Sequence, residues 1–193
     1  VFNKILMDGV KPDTWGDGYI HRLYKGKGVM GKCSNERGIT LSSNIGKLYE
    51  RLINERCRAK VIKTDAQAGG EPGRATIDHI MVVKEVLNAE RQKSWRQKKP
   101  VYLAFLDVTK AYDKAWLDGM LHVLYKNGVN NYLWNQIRML NTNLGARIRT
   151  KHGTTRPIEI KDSVRQGGVL SVMLYALLMD EIAKEVEEKN LGL

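Results

Sequence analysis

The sequence is poor in cysteine and has no long uninterrupted apolar run. Its 193 residues contain two cysteines, Cys33 and Cys57, too few for a disulfide framework and without the CxxC spacing of a metal site. The longest apolar stretch, residues 169–179, ends at Asp180 and is shorter than the roughly 20 residues that span a bilayer. The N-terminus also lacks a secretory signal. These absences predict an intracellular protein with free thiols, and the start at Val1 indicates a piece of a longer chain.

Positive charge is the most informative property of the composition. Lys and Arg number 32 against 21 Asp and Glu, which gives a net charge of +11. Such an excess favours a polyanionic partner, either nucleic acid or a membrane surface, although charge alone leaves a generically basic soluble protein open. The basic residues recur over residues 22–32, 51–63 and 91–99, a distribution that fits a groove better than a tail. With 42% hydrophobic residues, the chain can also bury one sizeable core.

The periodicity of apolar residues predicts an α+β fold. Residues 1–36 are rich in glycine and predict an irregular or short-stranded lead-in. Residues 101–106 form an apolar run that predicts a buried strand ending at Asp107. Residues 146–151 and 157–161 predict the two arms of a β-hairpin. The predicted helices begin at Ser43 or Asn44, at Thr76 (to about Trp95), near Trp116 (ended by Gly128), at Tyr132 (to Leu144) and at Leu170 (to about Lys189).

Asp107 is the leading candidate for a residue that carries chemistry. A strand end would hold its carboxylate rigidly, as a metal ligand requires. A hard divalent ion such as Mg²⁺ prefers carboxylate, carbonyl and phosphate oxygens, and Val108 can add its backbone carbonyl. Two other roles stay open: Asp107 caps a helix, or it is the phosphoacceptor of a receiver domain. The early acidic pair and the later strand-end lysine of a receiver are not evident in the sequence.

Four segments, in order, resemble the reverse transcriptase of non-LTR (LINE-like) retrotransposons. They are residues 35–41 (Asn-Glu-Arg-Gly-Ile-Thr-Leu) with 45–50 (Ile-Gly-Lys-Leu-Tyr-Glu), 67–78 (Gln-Ala-Gly-Gly-Glu-Pro-Gly-Arg-Ala-Thr-Ile-Asp), 105–113 (Phe-Leu-Asp-Val-Thr-Lys-Ala-Tyr-Asp) and 164–171 (Val-Arg-Gln-Gly-Gly-Val-Leu-Ser). The resemblance covers roughly residues 30–190. It implies reverse-transcriptase-like fingers over residues 1–100 and a partial palm over residues 101–193, with helices packed on a small antiparallel sheet.

The resemblance also implies an activity and its partners. The parent protein would be an RNA-directed DNA polymerase that adds dNTPs to a primer 3′-end by two-metal nucleotidyl transfer with Mg²⁺. Its partners would be an RNA template and a DNA primer or target DNA, in the nucleus or the cytoplasm, with no membrane. The runner-up interpretation is a non-catalytic nucleic-acid-binding or interaction module derived from a reverse transcriptase.

Residue roles follow from the matched positions. Asp107 matches the first catalytic aspartate, which binds both metal ions, and Val108 matches the carbonyl ligand of the nucleotide-side metal. Tyr112 matches the ring that excludes a ribose 2′-hydroxyl, although an aromatic residue of the core would leave the same pattern. Gln166 and Gly167 match the turn beside the templating base.

Four basic residues also match positions in the conserved segments of the resemblance. Arg37 and Lys47 match the residues that neutralise the triphosphate. Arg74 is assigned to the template or to the fingers fold, and Arg165 to nucleic acid. For Arg37, Lys47 and Arg74, ordinary solvated surface charge stays open as an alternative.

The sequence departs from the family pattern at several positions. Gly38 stands where the family usually has Pro, Glu71 stands where it has a basic residue, and residues 168–172 lack the usual Cys-Pro-Leu-Ser-Pro. The Tyr/Phe-Ala-Asp-Asp hairpin, which supplies the remaining metal-binding carboxylates, does not occur in the 193 residues. We therefore expect these residues alone not to polymerise efficiently.

Overall fold

The computed structural model describes residues 1–150, 152–160 and 164–191. The helices are α1 (Phe2–Asp8), α2 (Asp13–Gly16), α3 (Asn44–Arg58), α4 (Thr76–Gln92), α5 (Leu117–Lys126), α6 (Asn131–Asn141) and α7 (Val169–Glu188). The strands are β1 (Asp17–Tyr24), β2 (Glu36–Leu41), β3 (Leu144–Thr150), β4 (Gly153–Thr154) and β5 (Ile158–Ile160). Lys151 and Lys161, at the ends of the predicted hairpin arms, lie outside the described residues.

Four helices, α3, α5, α6 and α7, enclose the hydrophobic core. Each contributes an apolar side chain that is at most 1% exposed: Ile53, Met120, Ile137 and Leu174. The predicted helices in these regions are confirmed, because apolar residues at helical spacing form one buried face. The start of α3 is also as predicted, since the Ser43 hydroxyl accepts a hydrogen bond from the backbone N–H of Gly46 at 3.3 Å.

The lead-in is ordered by aromatic packing that its local sequence does not reveal. The rings of Phe2 and Trp15 lie 5.2 and 5.6 Å from the ring of Tyr49, between centroids. The Tyr49 hydroxyl donates to the Gln136 Oε1 at 2.9 Å, and Gln136 Nε2 donates to the backbone carbonyl of Leu6 at 3.3 Å. The short-stranded lead-in that the sequence allowed is present as β1, whereas the helices α1 and α2 were not predicted, because partners distant in sequence stabilise this segment.

The sheet is mixed, which corrects the expectation of an antiparallel one. Its strand order is β2-β1-β3-β4, with β5 paired to β3. The β3–β5 pairing confirms the predicted hairpin, and β1 pairs antiparallel with β2, but β1 runs parallel to β3. Lys11, which precedes β1, donates to the carbonyls of Met139 and Thr142 at 2.9 and 2.5 Å. This contact joins the segment before β1 to the end of α6, shortly before β3 begins, and so holds the starts of the two parallel strands near each other.

Helix α4 is present as predicted but packs little against the rest of the protein. None of its residues is buried, and Ile77 and Ile80 of the predicted apolar stripe are 57% and 55% exposed. Its N-cap is Ala75 rather than Thr76, and Asp78 accepts a hydrogen bond from the Ala75 N–H at 2.7 Å. Among the described residues, no helix is long and apolar enough to cross a membrane.

The predicted buried strand over residues 101–106 was wrong. These residues form no strand, and Tyr102, Phe105 and Leu106 are 88%, 86% and 89% exposed. A strand needs a neighbour for its backbone N–H and C=O groups, and none of the five strands in the described part of the chain pairs with this segment. An apolar run alone therefore does not fix a buried strand.

Candidate functional site

The Gln166-Gly167 turn lies against the C-terminal end of β2. The Thr40 N–H donates to the Gln166 carbonyl at 2.9 Å. Gly167 has a φ of 109°, and a Cβ at this position would lie 3.0 Å from the Thr40 carbonyl oxygen. A side chain is therefore excluded at Gly167 by both conformation and space. The turn that sequence reasoning assigned to the base-pairing end of the nucleotide thus adjoins the strand that carries Arg37.

The second turn of α3 and the start of α7 meet beside this turn. The Glu50 carboxylate accepts a hydrogen bond from the backbone N–H of Val169 at 2.8 Å. Lys47 lies one turn before Glu50 and is half-buried, whereas Arg37 on β2 is exposed. Segments 35–50 and 164–171, which are distant in sequence, are therefore joined by hydrogen bonds in one region of the fold.

Arg165 is a buried structural cation. It is 6% exposed, its Nη1 donates to the Trp15 carbonyl at 2.9 Å, and its Nη2 donates to the Gly16 carbonyl. Burial lowers the pKa of the guanidinium, and the charges of Glu50 and Asp17 act in the opposite direction. Its terminal nitrogens thus bind the protein's own backbone, and these hydrogen bonds hold residues 15–16 of the lead-in next to the Gln166-Gly167 turn.

Arg74 lies at the edge of a polar cavity of about 340 Å³ between the 58–74 segment and α7. Arg74 donates to the Asp65 carbonyl at 2.9 Å. Glu71, in the same cavity, forms ion pairs with Arg58 at 3.3 Å and with Lys63. The unusual acidic residue at position 71 therefore has a structural role, since it holds this loop to the end of α3.

A buried carboxylate fixes the same loop to α7. Asp180 is fully buried and accepts hydrogen bonds from the N–H and the hydroxyl of Thr64 at 3.1 and 2.7 Å. It also forms an ion pair with Lys184 at 3.2 Å. These contacts explain an acidic residue at the end of the apolar run of α7 and require no metal.

Asp107 and Val108 lie in the exposed segment rather than at a rigid strand end. The chain turns over residues 109–114, where Lys110 has a φ of 54°. Because α5 begins only at Leu117, Asp107 does not cap it.

Tyr112 lies near Asp107, at the edge of the core. Its ring contacts that of Tyr175 on α7, with centroids 5.5 Å apart and an interplanar angle of 47°. Burial, followed by the influence of Tyr112 and Asp107, raises the pKa of Tyr175. The three side chains thus form one neighbourhood, in which Tyr112 is half-buried.

The described residues do not assemble a complete metal site. Across residues 1–150, 152–160 and 164–191, no three His, Cys, Asp or Glu side chains lie close enough together to hold a metal ion. Asp107 supplies one exposed carboxylate, and Val108 supplies a backbone carbonyl. Reverse transcriptases generally use divalent metal ions, but the donor set in this part of the chain is too small for a two-metal centre.

One face of the sheet carries residues that the sequence reasoning missed. A cleft of about 510 Å³ is lined by Tyr19, His21, Leu41, Arg149 and Thr154. A second cleft of about 420 Å³ shares His21 and Arg149 with the first. Residues 19–24 contain no Gly or Pro and include two Tyr, which is typical of a strand. That signal could have revealed β1 despite the surrounding glycines.

Comparisons with known proteins match most of the chain to one family. The family model described as "Reverse transcriptase (RNA-dependent DNA polymerase)" matches residues 24–192. The chain is 31% identical over 92% of its length to a "Retrovirus-related Pol polyprotein from type-1 retrotransposable element R2" of Popillia japonica, and covers 24% of that protein. It is 25% identical over 94% of its length to the "Probable RNA-directed DNA polymerase from transposon BS" of Drosophila melanogaster, and covers 20% of that protein.

A third relative, from the transposon X-element of Drosophila melanogaster, is 28% identical over 92% of the chain, which covers 19% of that protein. The chain thus spans about a fifth to a quarter of the length of these relatives. The resemblance to non-LTR retrotransposon polymerases is confirmed. Because the family model matches most of the chain, from residue 24 to residue 192, the chain belongs to the reverse transcriptase family.

Proposed function

We propose that the chain is the nucleotide-selecting part of an RNA-directed DNA polymerase that adds dNTPs to a primer 3′-end. In this proposal residues 1–100 form the fingers and residues 101–193 a partial palm. The observation that carries the proposal is the hydrogen bond from Thr40 to Gln166 at 2.9 Å. It joins the two segments whose matched roles concern the same incoming nucleotide.

The basic residues of these segments would bind the triphosphate. Arg37 is exposed on β2 and Lys47 is half-buried in the first turn of α3. Cationic donors suit this position because negative charge is spread over the phosphate oxygens during transfer. Gln166 and Gly167 would flank the base pair, and the missing side chain at Gly167 keeps the surface beside β2 free.

Tyr112 would exclude ribonucleotides by steric hindrance. A bulky ring rejects a 2′-hydroxyl only if it cannot move away, and the contact with Tyr175 at 5.5 Å supports the ring from behind. The repulsive element, rather than an added attraction, would give the selectivity.

Asp107 and the carbonyl of Val108 would contribute two ligands to a Mg²⁺ site. Bound divalent ions would polarise phosphoryl oxygens and stabilise the attacking and leaving oxygens. The carboxylate of Asp107 is exposed and does not cap α5. It is therefore accessible to an ion carried by a nucleotide.

The template would follow the exposed sheet face. Tyr19 and His21 provide flat rings, and Arg149 provides a cation at the junction of the two clefts. This combination suits single-stranded nucleic acid, whose bases stack on aromatic rings while cations contact the phosphates. Arg74 would support the fold of the adjacent loop or the template, whereas Arg165 is left out of the interface because it is buried.

The test is sugar selection by Tyr112→Ala, in a protein that continues this chain through an Ala-Asp-Asp segment. Incorporation of rNTP relative to dNTP should rise in Tyr112→Ala, because the ring that excludes the 2′-hydroxyl is removed. Tyr125→Ala serves as the control, since Tyr125 lies on α5 and is 62% exposed. An unchanged rNTP/dNTP ratio with a large fall in melting temperature would show that Tyr112 is a core residue instead.

A second candidate function is a nucleic-acid-binding module that performs no chemistry. The observation in its favour is the sheet face, whose aromatic and basic residues are sufficient for binding without a metal. Such a module would bind RNA with a log affinity that falls with log salt by about 0.7 per phosphate contact. It would fail to extend a primer even with the Ala-Asp-Asp segment attached, which distinguishes it from the polymerase.

A further inference from the structure

A strongly basic loop lies outside the region described above. This basic loop, residues 91–99, begins in the last turn of α4 and contains five cations and no acidic residue. Its cations are Arg91, Lys93, Arg96, Lys98 and Lys99. Every residue of the loop is exposed, and α4 buries none of its residues. The loop is therefore accessible to a large partner along its whole length.

Hydrogen bonds hold the basic loop in a defined conformation. The Glu90 carboxylate accepts one hydrogen bond from Lys93 Nζ and another from the backbone N–H of Lys99. These bonds lower the pKa of Glu90. Within the loop, the Lys98 N–H donates to the Ser94 carbonyl at 3.1 Å. The two ends of the loop are thus closed on one acidic residue, while all of its residues stay exposed.

The loop displays an aromatic ring next to a cation. Trp95 is 79% exposed, whereas Trp15 in the core is 7% exposed. The Arg96 guanidinium carbon lies 5.2 Å from the centroid of the Trp95 ring, a cation–π arrangement. Exposed indole surface is unfavourable in water, and stacking on a nucleic-acid base would cover it while neighbouring cations reach the phosphates.

We propose that the basic loop is a second binding site for single-stranded nucleic acid. Trp95 stacks on an unpaired base, and Arg91, Arg96 and Lys98 contact the phosphates. An acidic peptide without aromatic residues, such as poly-glutamate, would satisfy the cations but offers no flat ring partner for Trp95. The inference rests on the proposed function only for the identity of the polyanion, because the loop shares no residue with the nucleotide site or the sheet face.

The first test measures the binding of a fluorescein-labelled 12-nucleotide RNA to the 193-residue chain by anisotropy at increasing KCl. In the loop variant, Arg91, Arg96 and Lys98 are each replaced by Gln. The slope of log affinity against log salt should fall in magnitude by about 2, since each lost phosphate contact on a single strand contributes about 0.7.

The control removes the same charge elsewhere. Lys4, Lys126 and Lys189 are exposed and lie outside the basic loop, so their triple Gln variant should keep the wild-type slope. Unchanged melting temperatures establish that both variants are folded. Equal slopes in the two triple variants would overturn the proposal, because binding would then depend on net charge alone.

The second test concerns Trp95. Trp95→Ala should weaken RNA binding by about 5- to 150-fold, the range found when a stacking ring is removed. RNA should quench tryptophan emission in the wild type, and most of this quenching should disappear in Trp95→Phe, which still binds. Unchanged emission on RNA binding, or equal affinity for blunt duplex or poly-glutamate, would overturn the stacking role.

These tests separate the inference from the proposed function. An rNTP/dNTP ratio that Tyr112→Ala leaves unchanged, together with intact quenching of Trp95 by RNA, would refute the nucleotide site and leave the basic loop. A raised ratio in Tyr112→Ala without any effect of the loop variant on RNA binding would do the reverse.

Discussion

Gly167→Ala tests whether the turn beside β2 is held as tightly as the contacts indicate. The native φ of 109° lies in a region that residues with a Cβ rarely adopt, at a cost of about 1–3 kcal/mol. The added Cβ would also lie 3.0 Å from the Thr40 carbonyl oxygen, a contact that no side-chain rotation relieves. Both effects push the turn away from β2 and weaken the hydrogen bond from Thr40 to Gln166.

The control is Gly128→Ala, between α5 and α6. Gly128 has a φ of 78° and no atom within 4 Å of an added Cβ, so this change should cost only about 1 kcal/mol. For a chain of this size, 1 kcal/mol corresponds to about 2–4 °C in melting temperature. The fall in melting temperature caused by Gly167→Ala should be two to three times the fall caused by Gly128→Ala.

The binding readout separates the turn from general stability. Affinity for a dNTP, measured by titration calorimetry in the protein that includes the Ala-Asp-Asp segment, should fall in Gly167→Ala and stay unchanged in Gly128→Ala. Equal melting temperatures in the two variants, together with equal dNTP affinity, would refute the reasoning, since the turn would then not be pinned against β2.

Two further predictions concern buried groups. Arg165→Met should destabilise the fold by roughly 2–6 kcal/mol, because the carbonyls of Trp15 and Gly16 each lose a donor at about 1–3 kcal/mol. The salt dependence of RNA binding should stay as in the wild type, and a reduced slope would assign Arg165 to nucleic acid after all. Burial raises the pKa of Cys57 to about 12, so a thiol reagent at pH 8 should modify the exposed Cys33 and reach Cys57 only on unfolding. Two fast-reacting thiols in the native protein would contradict the packing of α3.

The helices were predictable from sequence because their stability signals are local. Ser43 precedes an apolar period of 3.6 and caps α3 as expected. The run beginning at Leu170 forms α7, one residue longer at its start. The spacing indicates the helix more surely than its buried face. In α3, Tyr49, Ile53 and Cys57 are buried, whereas Ile45, Leu48 and Leu52 at the same spacing are exposed.

The errors arose where a segment depends on distant partners. Residues 101–106 are as apolar as a core strand, but a strand also requires a neighbouring backbone, which a local pattern does not report. The parallel pairing of β1 with β3 joins strands that are far apart in the sequence, and the Lys11 contact with the end of α6 spans the same separation. Strand direction was therefore not derivable from periodicity.

The candidate site was predictable only as a set of residue types. The motif match grouped Arg37 with Gln166, and the hydrogen bond at Thr40 joins their segments. It also grouped Arg165 with nucleic acid, although that side chain is buried and bonded to backbone carbonyls. A match to a motif does not tell a cation that binds a ligand from one that stabilises the fold. The burial of the side chain in the structure does.

The central claim is that this domain carries the catalytic aspartate of an RNA-directed DNA polymerase. The direct measurement is the rate of primer extension on an RNA template with Mg²⁺, by the chain continued through an Ala-Asp-Asp segment. Asp107→Asn should lower this rate by several orders of magnitude with RNA binding unchanged, because a metal ligand acts mainly in the transition state. Asp118→Asn, at an exposed residue of α5 outside the matched segments, should extend primers at nearly the wild-type rate. Equal rates for Asp107→Asn and Asp118→Asn would contradict the claim.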